Sequence, residues 1–488
     1  MKRVNIIFII LFFITAVGIA SAGTDSEGRS SKASVIISDF KFDPIKWNIP
    51  EIDKEVKRVV LKNGMTLFLM EDRELPLINV RAIIRTGNIY VPPEQDGIAG
   101  ITGIVMRTGS TKSITPEELN DQLEYMAASI ETGIGDESGY ATLSVLSKDI
   151  DEGLKLFADV LMNPAFQDSQ LTIEKNKIKE MIRRRNDTPQ SILAREYNHI
   201  LYGDHPYGRI LEWETVKDIS SEDLKAFHKK YYKPNNTMIA VSGDFKTKDM
   251  IKKFKNVFKK WKKGDVALPS VPEVAYDFKP GVYLMEKDQN QSRIEIGKLG
   301  IKRTNPDKYA ITILNYILGG GAFSSRLTSR VRSDEGLAYH VGSRFSTSDR
   351  DYGLFTASVQ TKTASTHKAI SLILEEIERI RNEKVSDEEL ELAKDAFING
   401  YIFNFVNTSQ VVNRLMGLEY NGYPRDYFKN YIHNINTVTV DDINKAAKKY
   451  LDTKSMTIAV IGKAEDFDGA MSDFGDIHSI EITEPILE

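Results

Sequence analysis

One pattern occurs twice in this chain, 219 residues apart. Lys230-Tyr231 and the run Met238-Ile239-Ala240-Val241-Ser242-Gly243 return as Lys449-Tyr450 and Thr457-Ile458-Ala459-Val460-Ile461-Gly462. The offset is 459 − 240 = 219, and it also sets Ile219 on Val438, Asp223 on Asp442 and Leu224 on Ile443. Each copy opens with helix-starting residues, Ser220-Ser221-Glu222-Asp223 or Thr439-Val440-Asp441-Asp442. Hydroxyls and carboxylates suit a first turn because its N–H groups lack intrahelical partners. A helix and a short apolar strand follow, the strand reading as buried. Solenoid repeats run about 20–50 residues, so a period this long requires two homologous domains instead.

Each half mixes strands with amphipathic helices. Residues 59–70 predict a hairpin turning at Asn63-Gly64. Residues 80–85 predict a strand, and 116–128, 149–163 and 170–185 predict helices. The expected fold is α+β: two homologous domains, each a mainly antiparallel sheet packed against helices. The sequence divides into a signal peptide (1–22), a lead-in (23–54), a first domain (55–263), a linker (264–280), a second domain (281–466) and a lightly structured acidic tail (467–488). The linker is placed by Pro269, Pro272 and Pro280 in a polar stretch.

The signal peptide is read from Lys2 and Arg3, an apolar run over 6–14 that continues to about Ala20, and the small-x-small site Ala20-Ser21-Ala22. An uncleaved anchor is the alternative, since the run is near the lower limit for a span. No later segment is long and apolar enough to cross a bilayer. An exported chain without cysteine fits a bacterial periplasm. The same absence excludes disulfides, Cys-zinc sites and thiol nucleophiles. The net charge of −4 gives no global reason to expect nucleic acid. The basic run 252–263 reads as a domain-closing helix with Phe254, Val257, Phe258 and Trp261 as its core stripe, in preference to a membrane-surface helix.

The seven histidines are 199, 205, 228, 340, 367, 433 and 478. No two are three or four residues apart, so no helix face offers a pair. A hydrolytic zinc needs three protein ligands and a water, and the sequence presents no such set. His205 and His228 read as structural. Gly97, Gly100 and Gly103 have helical spacing but match neither a dinucleotide fingerprint nor a Walker loop. Interior glycines each cost about 1 kcal/mol against alanine, so that helix is either poorly formed or closely packed.

Residues 87–110 nevertheless resemble the zinc-helix region of the pitrilysin and mitochondrial-processing-peptidase family, the inverzincins. Active members carry H-x-x-E-H there. The flanks are present as Gly97-Ile98-Ala99 and Gly109-Ser110, but Gly100 and Ile104 stand at the two histidine positions and Gly103 at the catalytic glutamate. The third family ligand falls on Glu180, before Arg183-Arg184 and Asp187-Thr188-Pro189. Glu180 reads as a helix-face carboxylate beside those arginines rather than a working ligand. Tyr202-Gly203-Asp204-His205-Pro206-Tyr207-Gly208-Arg209 also follows the family.

The second half resembles the family's second domain. Gly319-Gly320-Gly321 precedes Arg332 and then Gly336-Leu337-Ala338-Tyr339. The resemblance implies that Arg332 and Tyr339 face the scissile peptide and that the three glycines let a backbone approach. On the residues alone, Arg332 could equally pair with Asp334 or Glu335, and Tyr339 could be half-buried core. The resemblance covers about 55–465 and implies no catalytic residue in this chain alone. It implies a non-catalytic subunit that binds extended peptide and supplies Arg332 and Tyr339 to a homologous partner carrying zinc. A scaffold without protease function is the alternative, and an autonomous enzyme with relocated chemistry a third.

Overall fold

The computed structural model describes residues 49–348 and 350–488. The signal-peptide reading and nearly all of the lead-in lie outside them. The first sheet consists of β1 (Lys57–Val60), β2 (Thr66–Glu71), β3 (Leu77–Ile84), β4 (Ser129–Ile134), β5 (Gly139–Leu146) and β6 (Thr237–Gly243), in the order β1-β2-β6-β3-β5-β4. The second consists of β7 (Gly281–Glu286), β8 (Gln291–Leu299), β10 (Ala338–Phe345), β12 (Leu354–Lys362), β13 (Thr457–Gly462) and β14 (Ile477–Ile480). Its order is β14-β7-β13-β8-β12-β10, the same scheme. Short strands β9 (Ile301–Lys302) and β11 (Thr347–Ser348) pair separately. In both sheets the repeat strand is central: β6 pairs parallel with β2 and antiparallel with β3, as β13 does with β7 and β8.

The local signals explain the elements. Gly64 takes a left-handed φ of 89° in the β1–β2 turn, where Asn63 Oδ1 accepts from the Met65 N–H. Both repeat helices, Ser221–Tyr231 and Val440–Tyr450, begin with complete capping boxes, Ser220 with Asp223 and Thr439 with Asp442. In the basic helix Thr247–Val257 and the turn after it, Phe254, Phe258 and Trp261 are buried.

The tail is a correction. It is not lightly structured: β14 pairs parallel with β7 from Ile477↔Val282 to Ile480↔Met285. It takes the place that β1 holds in the other sheet, where a hairpin supplies the strand. The Asn186 Nδ2 then donates to the Thr483 carbonyl at 2.9 Å. An open β7 edge explains this, since unpaired backbone groups bind any available strand.

Two further helices join the halves. Pro189–Tyr202 and Thr408–Tyr420 begin 408 − 189 = 219 residues apart, the same offset, and are capped by Thr188 and Asn407. Each covers the sheet of the other half. Ile192, Leu193, Tyr197 and Leu201 pack on Met285, Leu299, Ala459 and Ile461. Val411, Val412, Leu415 and Met416 pack on Phe68 and Ala240. Arg58 forks onto Glu419 at 2.6 and 2.5 Å, and Arg85 donates to the Tyr420 carbonyl at 2.7 Å. Residues 264–280 contain no helix or strand. They are tied down by Val274, buried against the swapped helix, and by its N–H to Asp351 Oδ2 at 3.0 Å.

Because each half finishes the other's core, the halves should unfold together. Leu193→Asp and Val412→Asp each bury an unpaired carboxylate and should each cost more than about 3 kcal/mol. Calorimetry should show one transition shifted downward; a second transition left at the parent midpoint would disprove the coupling.

The same interface makes a pH prediction. Glu295 on β8 is half-buried, and its carboxylate accepts from Ser358 Oγ at 2.6 Å. Burial pushes its carboxyl from the ordinary 4.5 up to about 7. A raised folded value favours the protonated fold, so this contribution is complete below pH 4.5 and is lost as pH rises through 7. Glu295→Gln should remove that slope and raise stability at pH 8 by about 1–3 kcal/mol, measured by denaturant unfolding across that range.

Candidate functional site

The helix expected to carry chemistry runs Ile98–Thr108. Gly97 caps it with a left-handed φ of 97°, and Ile98, Ile101 and Val105 bury its inner face. It is closely packed, not poorly formed. At Gly103 a Cβ would stand 2.4 Å from the Ile134 nitrogen of β4, and Thr132 Oγ1 donates to the Gly103 carbonyl at 2.6 Å. Gly100 differs: a Cβ there meets nothing within 4 Å. Ile104 is 37% exposed. Two of the three degenerate positions therefore face open space, and the third is pressed against a strand backbone.

Glu180 lies on the helix Asp168–Arg183 with its side chain 47% exposed. Arg183 grips it through two hydrogen bonds of 2.7 Å, which hold its carboxyl below the ordinary carboxylate range. Among the described residues no three His, Cys, Asp or Glu side chains gather as a metal site. The residues present do not fit zinc: Gly100, Gly103 and Ile104 offer no side-chain donor, and Glu180 is engaged by arginine. His205 and His228 are structural. His205 Nε2 bonds the Pro272 carbonyl at 3.1 Å, and His228 Nε2 bonds the Leu161 carbonyl at 2.9 Å.

The second half builds a cleft of about 460 Å³ beside β10, lined by Gly319, Gly320, Phe323, Arg332, His340 and Arg344 among others. Two π-helical turns, Tyr316–Gly320 and Thr328–Asp334, form its walls; such turns concentrate at functional sites. Gly319 allows the loop to touch β10, since a Cβ there would stand 2.3 Å from the Ser343 nitrogen. Ser343 Oγ locks the contact by donating to Asn315 Oδ1 at 2.9 Å. Gly321 closes the turn through its N–H to the Tyr316 carbonyl at 2.9 Å.

Arg332 and Tyr339 come together. The Arg332 guanidinium lies 4.8 Å from the Phe323 ring centre and 5.3 Å from that of Tyr339. Among the described residues Arg332 forms no ion pair; Glu335 is taken by Arg330 and Lys368. Tyr339 is 86% exposed and Phe323 74% exposed, so neither is core. The β10–β12 register slips between Ala338 and His340, leaving Tyr339 as the extra residue of a bulge. A bulge re-aims a side chain, which is why Tyr339 and His340 are both exposed. The glycine turn, Arg332 and Tyr339 were singled out in the sequence through the family resemblance. Phe323, Arg344 and the bulge were not, because a bulge leaves no mark in a strand's composition. Among the described residues no carboxylate lines the cleft, so its guanidinium groups and imidazole present donors to any carbonyl or carboxylate that enters.

Comparison with known proteins gives one direction. Residues 68–214 match the family description "Insulinase (Peptidase family M16)", and residues 218–397 match "Peptidase M16 inactive domain". The chain is 24% identical over 412 residues to the uncharacterized zinc protease YmxG of Bacillus subtilis, covering 83% of this chain and 98% of that protein. It superposes with TM-score 0.74 and 27% identity on a peptidase M16 inactive domain of Pseudomonas fluorescens, covering 84% and 98% of the two chains. It also superposes on the periplasmic protease PqqL of Escherichia coli, with TM-score 0.73, 14% identity and 51% of that chain covered.

The two glycines should respond oppositely. Gly100→Ala should be neutral or stabilising by up to about 1 kcal/mol, because it adds helix propensity into open space. Gly103→Ala should cost about 1–3 kcal/mol through overpacking. Restoring the motif as Gly100→His, Gly103→Glu and Ile104→His together should give a destabilised chain that binds no stoichiometric zinc. Metal analysis and thermal unfolding check this.

Proposed function

The chain belongs to peptidase family M16, and from that premise we propose that it is the non-catalytic subunit of a heteromeric zinc metalloendopeptidase. The observation carrying this reading is an asymmetry. The helix that would hold metal in the first half offers no side-chain donor at Gly100, Gly103 or Ile104 and is packed shut at Gly103, while among the described residues Arg332 in the second half forms no ion pair and lies against two exposed rings. Zinc, the general base and the attacking water then belong to a homologous partner chain.

The chemistry left to this chain is binding and polarisation. Arg332 offers a rigid fork of N–H donors to a peptide carbonyl. The Tyr339 hydroxyl can donate to the oxygen on which negative charge develops as water adds to that carbonyl. The cleft beside β10 can take an extended peptide backbone, and the outer edge of β10 carries no partner strand within the sheet. The proposal includes export to a bacterial periplasm by the segment 1–22. Among the described residues no helix is long and apolar enough to cross a membrane.

The purified chain should bind no stoichiometric zinc and cleave nothing alone. Mixed with a family homologue that carries H-x-x-E-H, it should raise peptide cleavage. Arg332→Ala and Tyr339→Phe should each cut that activity about 10²–10³-fold, with little change in the unfolding midpoint. The reading fails if the mixture stays inactive, or if both variants leave its activity untouched; isolation of the chain as a lone homodimer would favour a scaffold.

A further inference from the structure

The basic run keeps a second face that core packing does not use. Between 246 and 263 stand nine lysines and one acid, Asp249, a local charge of +8. The whole chain carries −4, so everything else sums to −4 − 8 = −12. Phe254, Phe258 and Trp261 point inward and are buried. Lys252, Lys255, Lys259, Lys260, Lys262 and Lys263 point outward and are exposed. In this run Lys253 is paired, with Asp151; the six lysines just named form no ion pair among the described residues. The face extends beyond the helix. Asn63 Nδ2 donates to the Phe258 and Trp261 carbonyls, which sets the exposed Lys62 alongside, and the Lys233 side chain lies against Gly264.

We infer that this lysine face docks the protein onto an anionic lipid surface by electrostatics alone. Three observations select that partner over others. The run contains no arginine, so it lacks the planar forks that read phosphate or carboxylate groups at fixed positions. Its aromatic rings are all buried, so it has no platform for stacking bases. It exposes no apolar anchor of the kind that centres a protein–protein interface. What remains is a diffuse array of ammonium groups, each attracted to a negatively charged leaflet. The apolar stripe is already inside the domain, so the helix does not insert. The opposite charge on the rest of the chain turns this face toward the surface and the remainder away.

The test uses the full chain and sedimentation with vesicles of phosphatidylcholine alone or mixed with phosphatidylglycerol. Binding should require the anionic lipid and be lost in near-molar salt, where the screening length falls to about 3 Å. Replacing Lys255, Lys259, Lys260 and Lys263 by Gln should weaken binding at least tenfold. Replacing the exposed, unpaired Lys362, Lys445, Lys448 and Lys454 by Gln makes the same change in net charge and should weaken it less than twofold. Both variants should keep the parent unfolding midpoint, because none of these side chains is buried. Equal partition onto both vesicle types would overturn the inference and point to the apolar segment at 6–14 instead. Equal losses in the two variants would also overturn it, as would tighter, lysine-dependent binding to duplex DNA or an acidic polypeptide than to the vesicles.

Discussion

Each sheet in this protein is apolar on both faces, and neither half covers both of its own. Ile239 and Val241 face one way, into the first half's own helices, while Ala240 faces the other way, against Val412 and Leu415 from the second half. The repeat mates behave alike: Ile458 and Val460 face inward, and Ala459 meets Leu193 and Tyr197. The strand period of two produces this alternation. Alanine at the middle position lets the borrowed helix come close. The exchange of helices Pro189–Tyr202 and Thr408–Tyr420 therefore fixes the relation of the halves, and with it the two sheet edges that carry the candidate sites.

Those edges are β4 and β10, which hold matching places in the two sheets. Each has a glycine pressed against its backbone, Gly103 at β4 and Gly319 at β10. The consequences differ. At β4 the contact closes space that a catalytic side chain would need. At β10 it leaves a cleft, because the chain turns away through Gly320 and Gly321 and returns with Arg332. One architecture thus yields a sealed edge and an open one.

The sequence carried the reading some distance. The offset of 219 found through the strands located two domains, and the same offset proved to hold for the exchanged helices, although Thr188-Pro189 and Asn407-Thr408 share too little to be seen as mates. The basic run was read correctly as core-packed along Phe254, Phe258 and Trp261, since an amphipathic stripe is a local property. The tail was misread. Its strand is held by backbone pairing to β7, and a parallel edge strand makes few demands on side chains.

What the sequence determined by itself was the inventory: two homologous α+β units, no cysteine, no histidine pair on a helix, and a glycine-rich turn before Arg332 and Tyr339. These follow from residue identity and spacing. Only the tertiary structure decided how the inventory is used. It distinguished Gly103, which has no room, from Gly100, which has nothing but room. It turned Arg332 away from Asp334 and Glu335 and set it between Phe323 and Tyr339. It crossed the helices between sheets. Each of these is a contact between segments far apart in the chain, and no local pattern records which distant surface a residue will meet.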